Sequence, residues 1–179
     1  MASDSARRGK KPIFVIQEHD ATSHHYDFRL EANGVLKSWA VPKGLSTDPR
    51  VKRLAIRTED HPLDYADFEG VIPEGEYGAG TVIVWDRGHF ENVTVQDDTL
   101  IPFDKALDRG HLVVRLAGKK LAGAYALQRI ESGDDEQWLV IKVDDDAADA
   151  RRNPVSTERE SVKSGKTLEQ VAAGNGERA

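Results

Sequence analysis

The sequence contains no cysteine. This absence excludes disulfide bonds, metal sites built on thiolates and a cysteine nucleophile. No apolar run approaches the length of a membrane-spanning helix, and the first residues, MASDSARRGKK, lack the apolar centre of a secretory signal peptide. The sequence therefore predicts a soluble, cytoplasmic protein that does not enter a membrane.

Aromatic residues are scarce, at 7%, and the hydrophobic fraction of 39% is modest beside a charged fraction of 31%. In a chain of 179 residues, this composition predicts one compact domain with polar tails. We expect a disordered basic tail over residues 1–11, a folded domain over 12–143, and a polar linker or mobile tail over 144–179.

An overall excess of positive charge is also missing. The formal net charge is −6, which argues against a generally basic nucleic-acid-binding protein. The charges are unevenly distributed, however: residues 37–57 hold six basic residues and one acid, and residues 58–77 hold seven acids and no lysine or arginine. The basic stretch is long enough for a few phosphate contacts. Charge alone favours the simpler interpretation of two solvated faces of opposite sign.

Short runs rich in β-branched and aromatic residues alternate with turn residues along the folded part. Asn33-Gly34, between two alternating runs, predicts a β-hairpin. A second hairpin is predicted for TVIVWD and HFENVTV, with its turn around Arg87-Gly88. PFDKALDRG predicts a short helix that ends at Gly110. About eight strands at this spacing predict a mainly β fold, either an all-β barrel or a sandwich, with one short helix.

The segment QEHDATSHHYDFRLEANG carries a regular alternation of residue types. Read as a strand, it places His25, Asp27 and Arg29 on one face and three core-forming residues on the other. With His19 upstream, the first face offers two imidazoles and a carboxylate. This set suits a divalent ion such as manganese and leaves positions open for water and substrate. The alternative is an ordinary solvent-facing strand surface, which spacing alone slightly favours; we take His24 as a bystander.

A second polar segment, EDHPLDYADFEG, contains His61 before a proline, and Tyr65. An arginine, a histidine and a tyrosine near a divalent ion suit phosphoryl chemistry. The arginine can grip two phosphate oxygens, and the other two can donate hydrogen bonds to developing charge. Taken singly, His61 is more simply a turn residue and Tyr65 a core aromatic. The nearby PEGEYGAG lacks the Lys-Ser/Thr pair of a phosphate-binding loop, so it predicts a tight turn.

Longer motifs link these residues to one family. The stretches QEHDATSHHYDFRLEANGVLKSWAVPKG and EDHPLDYADFEGVIPEGEYGAGTVIVWD, with LAGAYALQR and QWLVIK, closely resemble the 3′-phosphoesterase domain of bacterial DNA ligase D. That domain also has free-standing bacterial and archaeal relatives. The resemblance runs from Phe14 to Lys142 and implies a single compact β-barrel of about eight strands with a polar groove.

The resemblance also implies roles for single residues. The implied metal ligands are His19, His25 and Asp27. Manganese is the implied ion, and other divalent transition metals remain alternatives. Arg29 and His61 match residues that contact the scissile phosphate, and Tyr65 matches a tyrosine required for activity. Lys43 and Arg53 are weaker candidates for binding substrate phosphates.

The function that follows from the resemblance is processing of DNA 3′ ends before ligation in break repair by non-homologous end joining. The implied enzyme removes a terminal 3′ ribonucleoside and then hydrolyses the remaining 3′-phosphate to a 3′-hydroxyl. Its partners would be DNA 3′ ends and the ligase or polymerase of an end-joining system, and the protein would act as a monomer. The alternative is a non-catalytic barrel that docks DNA or a repair partner through the basic stretch.

Overall fold

The structure, a computed structural model, describes residues 11–134 and 136–177. The predicted disorder of residues 1–11 therefore concerns residues that, apart from Lys11, lie outside the described part. The strands are β1 (Ile13–Asp20), β2 (His24–Ala32), β3 (Val35–Val41), β4 (Lys52–Pro62), β5 (Gly70–Ile72), β6 (Gly80–Asn92), β7 (Val95–Gln96), β8 (Thr99–Leu100), β9 (His111–Gly118), β10 (Ala122–Glu131) and β11 (Gln137–Lys142).

Eight of these strands close into an antiparallel barrel. Their order is β1-β2-β3-β4-β11-β10-β9-β6, and β6 pairs back onto β1. β5 adds to the outer edge of β6, and β7 and β8 form a separate small hairpin. The predicted mainly β fold, a single barrel of about eight strands, is confirmed.

The helices are short. They are a 3₁₀ helix (Leu63–Asp67), α1 (Phe103–Arg109), α2 (Pro154–Thr157) and α3 (Leu168–Glu177). Within the described residues, no helix is long and apolar enough to cross a membrane.

Two local predictions are confirmed by the backbone. Asn33 and Gly34, with φ of 53° and 81°, form the turn between β2 and β3. Gly110, with φ of 79°, ends α1 in the left-handed conformation, and its N–H is donated to the last carbonyls of that helix. Both positions need a positive φ, which glycine and asparagine adopt at low cost.

The second predicted hairpin is wrong. β6 runs unbroken from Gly80 to Asn92, through the expected turn at Arg87-Gly88. A Cβ at Gly88 would lie 2.0 Å from the carbonyl oxygen of Ala117, so this glycine allows close approach of β9 rather than a turn. The hairpin in this part of the chain comes later, between β7 and β8.

The alternation in β2 separates two buried layers. Tyr26, Phe28 and Leu30 point into the barrel interior with the three buried tryptophans. On the opposite face Asp27 and Arg29 are only 6% and 3% exposed. The outer face is covered by the 3₁₀ helix and by a second apolar cluster. The alternative of a solvent-facing strand surface therefore does not hold for these two charged residues.

The described part of segment 144–179 differs from the predicted linker or mobile tail, because it lies along the barrel. Trp85 Nε1 donates to the carbonyl oxygen of Glu158 at 2.8 Å. Lys120 Nζ donates to the carbonyl oxygens of Glu158, at 2.8 Å, and Glu160, at 2.5 Å. Part of this attachment is made to backbone carbonyls of the segment, and contacts of that kind leave no pattern in the sequence.

Candidate active site

Strand register brings the three predicted metal ligands together. His19 on β1 lies directly opposite His25 on β2, and Asp27 follows on the same face. The side chains lean toward one another, so that Asp27 Oδ2 is 3.3 Å from His25 Nε2 and 3.6 Å from His19 Nδ1. One ligand atom from each residue lies within 4.8 Å of the others. This group could hold a metal ion.

Backbone carbonyls fix the orientation of both imidazoles. His19 Nε2–H donates to the carbonyl oxygen of Gly78 at 2.9 Å, and His25 Nδ1–H donates to that of Ser23 at 3.0 Å. Because a carbonyl oxygen only accepts, the other nitrogen of each ring faces Asp27 and is the one that can release its proton and offer a lone pair to a cation. Outer hydrogen bonds of this kind orient imidazole ligands in metal sites. The donor set therefore fits a divalent transition metal.

The cluster is also suited to a cation electrostatically. Burial alone would raise the pKa of Asp27, but hydrogen bonds with His19 and His25 and the charge of Arg29 hold it well below its usual range. Burial alone would lower the pKa of His25, but the hydrogen bond and charge of Asp27 outweigh this and raise it. Asp27 is therefore ionised at neutral pH, and His25 readily takes a proton when no metal competes.

We expect the affinity for manganese to fall as the pH is lowered through the neutral range. Since the pKa of His25 lies above its ordinary 6.5, protonation begins to oppose metal binding at or above that pH. If manganese must displace one proton from His25, its affinity should fall about tenfold for each pH unit below the pKa of that residue. Calorimetric titrations between about pH 6 and pH 8, in buffers of different ionisation enthalpy, would measure affinity and proton release. Constant affinity without proton release would contradict the assignment of His25.

Arg29 follows Asp27 on the same face and is locked by the protein. Its Nε donates to Gln17 Oε1 at 2.7 Å and its Nη1 to Ser38 Oγ at 2.9 Å. The guanidinium carbon lies 5.1 Å from the centre of the Tyr65 ring. Burial lowers the pKa of Arg29 and Asp27 opposes that shift, so the side chain remains a cation. Its Nη2, 3.4 Å from Asp27 Oδ2, faces the metal cluster.

His61 and Tyr65 complete the same wall. His61 Nδ1 lies 3.1 Å from Arg29 Nη1 and 3.0 Å from the carbonyl oxygen of Glu59, and these two contacts need different tautomers. Burial, with the charge of Arg29, lowers the pKa of His61. Burial raises the pKa of Tyr65, whose ring centre is 5.0 Å from that of His61. Both side chains are therefore neutral near pH 7.

Lys43 and Arg53 lie apart from this cluster. Arg53 is on the face of β4 that it shares with Ala55, which is buried in the barrel interior. This face is opposite to the one that carries Arg29 in the neighbouring strands. Lys43 is exposed just beyond the end of β3, near the end of β2 that carries His25. Binding of substrate phosphates by either residue stays a prediction.

Sequence reasoning missed the residues that position the site. Gln17 lies opposite Asp27 in the register, and its Nε2 donates to the carbonyl oxygens of Tyr65 and Phe68 at 2.8 and 3.2 Å. The sequence signal that could have identified Gln17 is a glutamine directly after the apolar run IFVI in β1. The carbonyl of Gly78 left no signal, because a backbone acceptor is present at every residue.

The C-terminal segment braces the helix that carries Tyr65. Glu69 Oε1 accepts from the backbone N–H of Val84 at 2.8 Å and from Ser161 Oγ at 2.5 Å. Lys163 Nζ donates to the carbonyl oxygen of Asp67 at 2.6 Å, and Val162 packs against the outer apolar cluster. The position of the 3₁₀ helix therefore depends on residues that follow the barrel.

We expect removal of residues 151–179 to destabilise the domain and to lower its activity. The loss of packed residues such as Val155, Val162 and Leu168 should cost about 3 kcal/mol net, or roughly 6–12 °C in Tm. Thermal unfolding and turnover would be measured together. The sequence predicts that residues 1–11 and those beyond about 150 are both dispensable for catalysis, and the contacts of the C-terminal segment argue against the second part. Removal of residues 1–11 is the control. Unchanged melting and turnover after the C-terminal truncation would contradict the role of the segment as a brace.

The chain is similar to known proteins over most of its length. The family model of the DNA ligase D 3′-phosphoesterase domain matches residues 17–129. The chain is 52% identical over 158 residues to the multifunctional non-homologous end joining protein LigD of Pseudomonas aeruginosa, covering 87% of this chain and 18% of that protein. It is 53% identical over 135 residues to the LigD DNA repair protein of Mycobacterium tuberculosis strain H37Rv, covering 75% and 16%. The chain thus spans less than a fifth of these relatives.

Proposed function

This chain belongs to the DNA ligase D 3′-phosphoesterase domain family, and from that premise we propose that it is a manganese-dependent hydrolase that prepares DNA 3′ ends for ligation. In the first proposed reaction, water cleaves the phosphodiester before a terminal ribonucleoside, which leaves as the free nucleoside and exposes a 3′-phosphate. In the second, water cleaves that monoester and leaves a 3′-hydroxyl. Inorganic phosphate is the other product.

The observation that supports this proposal most strongly is the shared carboxylate of Asp27. Two imidazole nitrogens and a guanidinium nitrogen lie within 3.6 Å of its Oδ2. The site thus joins three ligands for a cation to a fixed positive charge on one buried face. A phosphate ester needs both, since its oxygens must be held and the additional charge of the transition state must be stabilised.

The residues of the chain divide this work. His19, His25 and Asp27 would hold the divalent ion, which supplies Lewis-acid polarisation of phosphate oxygens and of water. Arg29 would direct Nη2 at a phosphate oxygen, because its other nitrogens are held by the protein. His61 would act as a neutral hydrogen-bond donor, and Tyr65 would do the same through its protonated phenol.

The substrate strand would extend toward the basic stretch 37–57. Part of that charge is already paired, since Lys37 and Arg57 lie 2.9 and 3.5 Å from the two carboxylate oxygens of Asp60. Lys43 is exposed and would be available to bind a substrate phosphate. We propose a cytoplasmic monomer that acts on primer ends beside the ligase and polymerase of an end-joining system.

A primer that ends in a 3′-phosphate tests the proposed function. The protein should convert it to a 3′-hydroxyl end with manganese present and should leave it unchanged after chelation of divalent ions. A primer ending in a single ribonucleoside should first yield the 3′-phosphate. Binding of either primer without conversion under all metal conditions would instead favour a non-catalytic docking barrel.

A further inference from the structure

Tyr77 is unusually exposed for an aromatic residue beside a buried polar site. The residue is 79% exposed, and it is the one aromatic among the large hydrophobic residues that the described ranges leave exposed. It lies between Gly75 and Gly78, whose φ values of 88° and 77° shape a tight loop. An exposed tyrosine buries little surface on folding, so its ring is available to a ligand.

The loop places Tyr77 directly at the candidate active site. The carbonyl oxygen of the next residue, Gly78, accepts from His19 at 2.9 Å. A hydrogen bond with the Glu59 carboxylate raises the pKa of Tyr77, and the carbonyl of Glu59 lies 3.0 Å from His61 Nδ1. The backbone of Tyr77 thus lies beside β1 at one edge of the site, and its side chain points toward β4 at the other edge.

Charge indicates which part of a substrate this side of the site accepts. The loop carries Glu74 and Glu76, and the whole stretch 58–77 has no lysine or arginine. A DNA backbone would be repelled here and attracted to the basic stretch 37–57. A terminal nucleoside carries no phosphate beyond the scissile one, and its ribose hydroxyls can donate to carboxylates. The departing nucleoside is therefore the part that suits the acidic side.

We propose that Tyr77 binds the terminal nucleoside by stacking its ring on the base, and so favours 3′ ends that carry a ribonucleoside over ends that carry only a phosphate. This specificity rests on the proposed function. Stacking on an aromatic ring tolerates any base, which suits an enzyme that processes broken ends of arbitrary sequence.

The test compares two primers with the same sequence, one ending in a 3′ ribonucleoside and the other in a 3′-phosphate. Tyr77→Ala should lower kcat/KM for the ribonucleoside primer by roughly fivefold to a hundredfold more than for the phosphate primer. Tyr77→Phe keeps the ring and should retain most of the preference. Leu100→Ala is the matched control, because Leu100 is also a large exposed side chain, at 57%, and lies in the distant β7–β8 hairpin.

The outcomes separate this inference from the function on which it rests. A wild-type protein that converts neither primer would overturn the proposed function itself. If the wild type is active and Tyr77→Ala lowers kcat/KM equally on both primers, the nucleoside contact is overturned. Tyr77 would then contact the strand that both primers share. No loss on either primer would also overturn the nucleoside contact. A selective loss restored by phenylalanine supports stacking.

Discussion

Replacing Asp27 by alanine should abolish both manganese binding and phosphoester hydrolysis. Its Oδ2 is the atom that His19, His25 and Arg29 share, at 3.6, 3.3 and 3.4 Å. Without the carboxylate the proposed ligand set of His19, His25 and Asp27 loses its anionic member, and the charge of Arg29 would then repel the metal ion. His19→Ala and His25→Ala should have the same effect because each removes one of three donors.

The expected loss is large. Removing a group that merely orients a metal ligand costs about 10- to 100-fold in affinity or activity, so removing a ligand should cost at least about 100-fold. Asp27→Asn keeps the size of the side chain and separates loss of charge from loss of packing. Calorimetric titration with manganese, with thermal unfolding to confirm that each variant folds, measures the effect.

His24→Ala is the matched control for the ligand variants. His24 lies next to His25 in the sequence, but its Nε2 contacts Glu18 Oε2 at 2.7 Å on the other face of β2. It should therefore keep most of the activity and of the metal affinity. Unchanged manganese affinity in all three ligand variants would contradict the metal assignment.

Arg29→Lys should keep manganese binding but lose a large part of the rate, about tenfold to a thousandfold. An ammonium group is a single point charge and cannot reproduce the planar fork. Lysine would leave Gln17 Oε1 or Ser38 Oγ without its donor, at a cost of about 1–3 kcal/mol for each buried group. Its charge would also no longer be held beside the metal cluster.

Single-turnover kinetics at saturating manganese on a 3′-phosphate primer would measure this effect. Arg53→Ala is the comparison, since Arg53 lies on the other face of β4, and it should weaken binding of longer strands more than it slows the chemical step. A wild-type rate for Arg29→Lys would mean that the arginine contributes charge alone. The thermal stability of Arg29→Lys, measured in parallel, separates the loss of buried hydrogen bonds from the loss of rate.

Much of the fold and of the candidate site could be predicted from the alternation of polar and apolar residues in the sequence. A period of two in HYDFRL assigned one face of β2 to the core and the other to His25, Asp27 and Arg29, and the structure places them so. The turn at Asn33-Gly34 was predictable because its conformation needs those residue types. Local pattern is informative where one strand has two chemically different faces.

Other features depend on contacts between distant segments. Gly88 resembles a turn residue in sequence, and its role follows from the approach of Ala117 in another strand. The C-terminal brace is held by carbonyls that accept from Trp85 and Lys120, which any sequence would offer. The burial of Arg29 could not be predicted from its own strand either, because the 3₁₀ helix that covers it, through Tyr65, comes from a later part of the chain.

Anomalous diffraction at the manganese absorption edge, from crystals grown with Mn²⁺, would locate the metal ion directly. We expect one strong peak bounded by His19 Nδ1, His25 Nε2 and a carboxylate oxygen of Asp27, and its loss in crystals of Asp27→Asn. A peak elsewhere, such as between Glu18 and His24, or no peak in crystals of active protein with manganese, would contradict the metal assignment.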